Sequence, residues 1–216
     1  GGGTGGSRSG TVQNNVTLQT VAKVVEGFSA FLAEVEEVAV EDVSFDDEVF
    51  RIKGSNLTPT MLDAAALAKA KGRDDLLRTT ETAKLPARSF PNGAHVAEVE
   101  VDPETGVTRL DRYTVTDDFG NMINPLLVEG QVHGGVVQGM GQLMMEQLVT
   151  DEDGQVLTAS FMDYAMPRAD NTPFMKFTTE PVPSTANVMG MKGCGEAGTV
   201  GSMAAIGNAI TDALWQ

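Results

Sequence analysis

Gly130-Gln131-Val132-His133-Gly134-Gly135-Val136-Val137-Gln138-Gly139-Met140-Gly141 lies inside a helical pattern that opens at Asn124-Pro125 and runs to about Gln147. Asn at the cap and Pro at the first helical position form a start signal. Gly134, Gly135, Gly139 and Gly141 fall within eight residues of that helix, and each interior glycine costs about 0.5–1 kcal/mol relative to alanine. A helix that tolerates this must meet another backbone or a ligand at close range.

Upstream, His95-Val96-Ala97-Glu98-Val99-Glu100-Val101 alternates with period two, Asp102-Pro103-Glu104-Thr105-Gly106 has turn chemistry, and Val107 to Thr116 resumes an extended pattern. This predicts a hairpin. Downstream, Asp153-Gly154 marks a turn, Gln155 to Phe161 reads as a strand, Phe174 to Glu180 as another, and Ala197 to Leu214 as a final helix of mostly small residues. Earlier, Val21, Val24, Val25, Phe28, Phe31, Leu32 and Val35 recur at helical steps and predict an amphipathic helix from Val12 to about Val38. Val43 to Phe45 and Val49 to Ile52 suggest a short hairpin turning at Asp46-Asp47-Glu48, and Thr58-Pro59 reads as the start of a helix that lasts to Gly72. Residues 73–92, with Pro86 and Pro91, have no period and read as a connection with a boundary near Gly93. The expected fold is α+β, with mixed sheets and packed helices in two lobes, residues 1–92 and 93–216.

Thirty acidic against fifteen basic residues give a formal charge of −15, which repels phosphate backbones and anionic membrane surfaces, so no nucleic-acid partner is expected. The absence of a continuous run of about 18 apolar residues predicts no membrane span, and nothing in the segment directs export. A lone Cys194 excludes an internal disulfide framework, and His95 and His133 are too far apart for an ordinary zinc pattern. The chain opens Gly1-Gly2-Gly3-Thr4-Gly5-Gly6-Ser7-Arg8-Ser9-Gly10 without an initiator Met and stops in a helical pattern at Gln216. It reads as an excerpt or as one part of a split protein, with a Gly/Ser linker at the start as the alternative.

Lys192-Gly193-Cys194-Gly195-Glu196-Ala197-Gly198 sets one carboxylate among three glycines, as suits a general base facing a reactant. Gly193 to Gly198 also spells G-x-G-x-x-G, but the βαβ unit and the later acidic residue of a dinucleotide site are absent. Gly1 to Ser9 likewise lacks the Gly-Lys-Ser/Thr of a P-loop. Cys194 reads as an apolar filler, with a redox role as the alternative. Lys192 could offset the charge of Glu196 or of a cofactor, or cap its loop.

Taken in order, Gly3-Thr4-Gly5-Gly6-Ser7-Arg8-Ser9, the Gln131 to Gln138 helix, Asp163-Tyr164-Ala165-Met166-Pro167 and Lys192 to Gly198 resemble the xanthine dehydrogenase and aldehyde oxidase family of molybdenum hydroxylases. The likeness is to the C-terminal part of the large subunit, within the bacterial branch that resembles aerobic carbon monoxide dehydrogenase. The resemblance implies a two-lobed molybdenum-cofactor-binding domain in which no protein side chain ligates the metal, because the pterin dithiolene holds it. It implies Glu196 as catalytic base, and Thr4, Gly5, Gly6, Ser7, Arg8, Ser9, Gln131, Gln138, Lys192, Gly193, Cys194 and Gly195 as cofactor contacts. Partial burial of Glu196 is expected. The resemblance further implies a molybdopterin cofactor, in bacteria the cytosine dinucleotide. [2Fe-2S] clusters and FAD would lie on an iron-sulfur subunit and an FAD subunit, and the N-terminal portion of the molybdenum subunit would complete the site. Such a cytoplasmic complex, of higher oligomeric order, would oxidise an aldehyde, an N-heterocycle or carbon monoxide with water-derived oxygen. The rival reading is a non-catalytic assembly module that keeps the scaffold without molybdenum.

Overall fold

The computed structural model describes residues 3–215; Gly1, Gly2 and Gln216 lie outside the described residues. The chain forms two compact units, Val12–Lys84 and a second made of residues 1–11 with 85–216. The partition differs from the expected boundary at Gly93. The first eleven residues go with the C-terminal unit because their loop is hydrogen-bonded to residues near 194, and no local pattern reveals a bond of that span.

A π-helical turn, Ser9–Gln13, leads into helix α1, Asn14–Glu36, the first helix of the Val12–Lys84 unit. Phe28, Phe31 and Leu32 lie on one face of α1 and are buried with Phe50 and Ile52 of the following hairpin and Ala64 and Ala68 of the next helix. Strands β1, Val43–Asp46, and β2, Val49–Ile52, pair antiparallel with Phe45 opposite Phe50. The turn residues Asp47 and Glu48 are both left-handed, with φ of 49° and 63°, the geometry that matches the twist of a two-residue hairpin. Helix α2 spans Met61–Ala70. Its cap is Thr60, not Thr58, and Pro59 lies outside the helix: Thr60 and Asp63 form a reciprocal capping box, while the Pro59 carbonyl accepts from the Phe50 amide. Ser9–Glu36 as a whole is long and apolar enough to cross a membrane by length and composition, which a search for unbroken apolar runs misses. Its buried stripe nonetheless supplies the core of this unit.

The other unit is built on a three-stranded mixed sheet in the order β3, Asn92–Val101; β4, Thr108–Asp118; β5, Met175–Thr179. β3 and β4 are antiparallel with an irregularity at Glu98/Val99, and β5 joins β4 in parallel. Helix α3 spans Pro125–Met144, its Asn124 cap accepting from the Leu127 amide, and helix α4 spans Ala197–Leu214. Met145 leaves helical geometry, so α3 ends short of Gln147. α4 lies against α3 and β3, and Tyr113, Val115, Phe119, Val132, Val136, Met140 and Ile206 are buried together. The expected strand from Gln155 to Phe161 is not formed. Only a bridge between Thr150 and Val156 exists, and Ser160 starts a turn whose carbonyl accepts from the Asp163 and Tyr164 amides.

Two glycines of α3, Gly135 and Gly139, meet a backbone. A Cβ on Gly135 would sit 2.9 Å from the Thr199 amide nitrogen, one on Gly139 2.9 Å from the Thr199 carbonyl, and one on Gly198 2.8 Å from the Val136 nitrogen. Such contacts are closer than real Cβ atoms come, so the two helices touch main chain to main chain.

Candidate cofactor-binding site

The helix crossing places the start of α4, and with it Glu196, beside the first loop of the chain. That loop is self-braced. The Thr4 and Ser9 hydroxyls are 2.9 Å apart, the Ser9 amide donates to Thr4 Oγ1 at 3.3 Å, and the Arg8 guanidinium donates to the Gly3 carbonyl at 3.1 Å. Gly6 and Ser7 follow each other in the left-handed region, with φ of 59° and 54°. Serine there is uncommon and strained. It is held by bonds at both ends of the residue: its carbonyl accepts from the Thr11 amide at 3.1 Å, and its hydroxyl accepts from the Cys194 amide at 3.2 Å.

The second loop is fastened by polar residues that sequence reading missed. Asn187 bonds both the amide and the carbonyl of Met191, the Lys192 amide donates to the Phe119 carbonyl, and Gly120 bridges to Met191. Lys192 extends its ammonium to Asp118 at the end of β4, and both side chains are largely buried. Burial works to raise the Asp118 pKa, yet the Lys192 ammonium and the Val182 and Gly120 amides prevail and hold the carboxyl below its ordinary range. Lys192 thus anchors its loop to the sheet. Asp118 carries no sequence signal of this role: it ends β4, two residues beyond the predicted extended run that stops at Thr116.

The two loops meet over Gly193. A Cβ there would lie 2.9 Å from the Ser7 Cβ and 3.0 Å from the Gly6 carbonyl. Beyond it Glu196, at the cap position of α4, accepts a 3.3 Å bond from the Gly6 amide through Oε1. The expectation of partial burial is corrected: in this chain Glu196 is exposed. Gly195 is exposed as well. Burial, with the neighbouring Glu196 charge, pushes the Cys194 thiol up, although a hydrogen bond from its own backbone amide opposes them. The thiol packs against the buried cluster of the sheet, which agrees with an apolar filler.

Gln138 is brought to the same end of α4: its Oε1 is 3.1 Å from the Thr199 hydroxyl, which is also 3.0 Å from the Gly135 carbonyl. Gln131 stands two turns earlier on α3, exposed. Thr4, Gly5, Gly6, Ser7, Arg8, Ser9, Gly193, Cys194, Gly195, Glu196 and Gln138 are therefore assembled at one place. Lys192 supports the loop from behind. Among the described residues no group of three or more His, Cys, Asp or Glu side chains is placed to hold a metal ion.

Residues 1–173 match the family model described as a molybdopterin cofactor-binding domain. The gamma subunit of the 6-hydroxypseudooxynicotine dehydrogenase complex of Paenarthrobacter nicotinovorans is 33% identical over 96% of this chain, which covers 27% of that protein. The solved carbon monoxide dehydrogenase of Oligotropha carboxidovorans superposes with a TM-score of 0.81 at 33% identity, over 99% of this chain and 27% of that one. Quinoline 2-oxidoreductase of Pseudomonas putida 86 gives 0.80 at 28% identity, over 99% and 28%. The chain spans about a quarter of the length of these relatives. A glycine-rich loop braced on the start of a helix, and a match over four fifths of the chain, place this protein in the molybdopterin cofactor-binding domain family, among the molybdenum hydroxylases related to xanthine dehydrogenase and carbon monoxide dehydrogenase.

Proposed function

We propose that this chain is the C-terminal, base-bearing portion of the large subunit of a molybdenum hydroxylase, with Glu196 as the general base. The observation that carries the reading is the contact between the Gly6-Ser7 loop and the Gly193–Glu196 loop, which joins an array of backbone amides to a carboxylate. The donor set fits a molybdopterin. A Cβ on Gly5 or Gly6 would meet nothing within 4 Å, so there is room beside this stretch of main chain for a ligand. The Thr4, Ser7 and Ser9 hydroxyls, the Arg8 guanidinium and the Gln138 side chain suit phosphate oxygens and the polar edge of a pterin. When bound, molybdenum supplies a two-electron redox centre and the means to activate water-derived oxygen. The chain supplies orientation and a proton acceptor. Glu196 has one carboxylate oxygen bonded to Gly6, and Oε2 has no hydrogen bond among the described residues, so that oxygen can take a proton while the other fixes the group's direction. Lys192, held on Asp118, keeps the loop in register.

The cytosine dinucleotide form of the pterin, an N-terminal portion that completes the site, and partner subunits carrying [2Fe-2S] and FAD in a cytoplasmic complex belong to the same proposal. The substrate is proposed as an aldehyde, an N-heterocycle or carbon monoxide. The test is Glu196→Gln in the assembled enzyme. Turnover should fall about 10²- to 10⁴-fold, the usual range for a positioned acid or base, with molybdenum and pterin content unchanged. Near-normal turnover would refute the base assignment, and a wild-type complex that purifies without metal or pterin would support the assembly-module reading.

A further inference from the structure

The sheet beneath α4 carries a buried polar cluster that the proposed chemistry does not use. His95 of β3 lies between two residues of β4: its Nδ1 is 2.7 Å from the Tyr113 hydroxyl and its Nε2 is 3.2 Å from Asp117 Oδ1. The side chains of His95 and Asp117 are 8% and 2% exposed, and Tyr113 is 1% exposed. Glycines on two sides make room for them. A Cβ on Gly93, the register partner of Asp117, would overlap the Asp117 carboxylate, and one on Gly201 of α4 would come within 2.5 Å of the His95 ring. Asp117 Oδ2 has no hydrogen-bond partner among the described residues. Buried ionisable clusters are seldom more stabilising than apolar packing of the same volume, so stability alone does not account for this one.

Its position does. Asp117 and Asp118 are consecutive in β4 and point to opposite faces, as strand geometry requires. Asp118 holds Lys192, just before the Gly193–Glu196 loop. Asp117 holds His95, whose ring rests on Gly201, in the second turn of α4 just after that loop. The end of β4 therefore grips both sides of the segment that carries Glu196. The ring nitrogens are bonded on both sides, Nε2 to Asp117 and Nδ1 to Tyr113, which holds the ring in one orientation. Burial and the Asp117 charge push the Tyr113 hydroxyl above its ordinary range, so it stays a donor.

We infer that His95, Asp117 and Tyr113 form a positioning network that seats helix α4 and thereby aims the Glu196 carboxylate. The inference rests on the reading of Glu196 as base. The test compares His95→Ala, His95→Gln, Asp117→Asn and Tyr113→Phe with Glu196→Gln in the assembled, molybdenum-loaded enzyme. His95→Ala should lower kcat about tenfold to a hundredfold, the scale of a small misplacement of a reacting group, with KM and molybdenum content unchanged. Amide hydrogen exchange over residues 197–202 should quicken in the same variant. His95→Gln, which keeps a donor for Asp117, should recover most of kcat and of the exchange protection. A His95→Ala enzyme with full molybdenum and kcat within about twofold of wild type overturns the inference, as does equal loss in the Ala and Gln variants. Should His95→Ala fail to fold or load, Tyr113→Phe and Asp117→Asn decide: lowered kcat at full molybdenum supports the network, and wild-type kcat overturns it. An inactive Glu196→Gln beside an active His95→Ala refutes only the positioning role, whereas an active Glu196→Gln refutes the base itself.

Discussion

Ser7 shows how one residue can determine a site far from it in sequence. Its left-handed backbone is unfavourable for serine, and it persists because the hydroxyl holds the Cys194 amide and the carbonyl holds the Thr11 amide. Gly193 and Gly195 flank Cys194 symmetrically in sequence but not in space. A Cβ at Gly193 would press on Ser7 and on the Gly6 main chain, whereas one at Gly195 would sit 3.8 Å from Ser7 Oγ, in ordinary contact. Gly193→Ala should therefore destabilise the subunit by about 1–3 kcal/mol, the range for overpacking against backbone, and Gly195→Ala by less than about 0.5 kcal/mol. Thermal unfolding of the two variants checks this, and equal shifts would contradict the asymmetry. Nothing in the order Lys192-Gly193-Cys194-Gly195-Glu196 distinguishes the two glycines. The distinction comes from the Ser7 loop, whose proximity only the family resemblance suggested.

At the scale of elements, the glycine run of α3 was legible as a demand for close approach, and the structure identifies α4 as what approaches. Gly134 is the contrasting case, since a Cβ there would meet nothing within 4 Å. Gly134→Ala should stabilise the helix by about 0.5–1 kcal/mol, while Gly198→Ala, pushed into the Val132 carbonyl and Val136 nitrogen, should cost about 1–3 kcal/mol. Opposite shifts in melting temperature are the expected result. The Asp118–Lys192 tether adds a pH signature. The folded pKa of Asp118 is lowered, so its contribution is present above the unfolded carboxylate range near pH 4 and is lost as pH falls through the lower folded value. Asp118→Asn should be less stable than wild type at pH 7, with the gap closing below about pH 4; a gap unchanged at pH 3 would assign the effect to something other than the carboxylate charge. Strand alternation could have flagged the neighbouring Asp117, since it shares a face with the buried Tyr113 and Val115. The α2 cap falls at Thr60 rather than Thr58 because Thr60 has Asp63 three residues on to complete a capping box, and the stretch from Gln155 to Phe161 pairs with the chain near Thr150 only at its start before Ser160 opens a turn.

For the whole molecule, the decisive fact is that two separate apolar cores arise from one chain. Residues between Val24 and Leu76 supply one, and residues between Ala97 and Ile210 the other. Sequence placed the boundary near Gly93, where a strand begins, but compactness changes at Leu85, and the first residues return to the second unit. A linker betrays itself by unpaired backbone rather than by composition alone. From the end of the short turn Asp74–Leu77 to the start of β3 at Asn92 the chain has no regular structure, and Arg78, Lys84 and Arg88 in that span are exposed. Proteases need an extended, unpaired stretch in which to seat the chain, and such stretches open at little free-energy cost. Other basic residues are held back: Lys23 lies in α1 and pairs with Glu81, Lys69 lies in α2, and Arg168 closes a capped turn with Asn171. Trypsin acting briefly on the folded protein should therefore cut first at Arg78, Lys84 or Arg88. Mass spectrometry would then find an N-terminal piece ending at one of these residues and a complementary C-terminal piece that retains Glu196. A first cut inside α1, α2 or the β3–β4 hairpin would show that the two cores are not divided at this span.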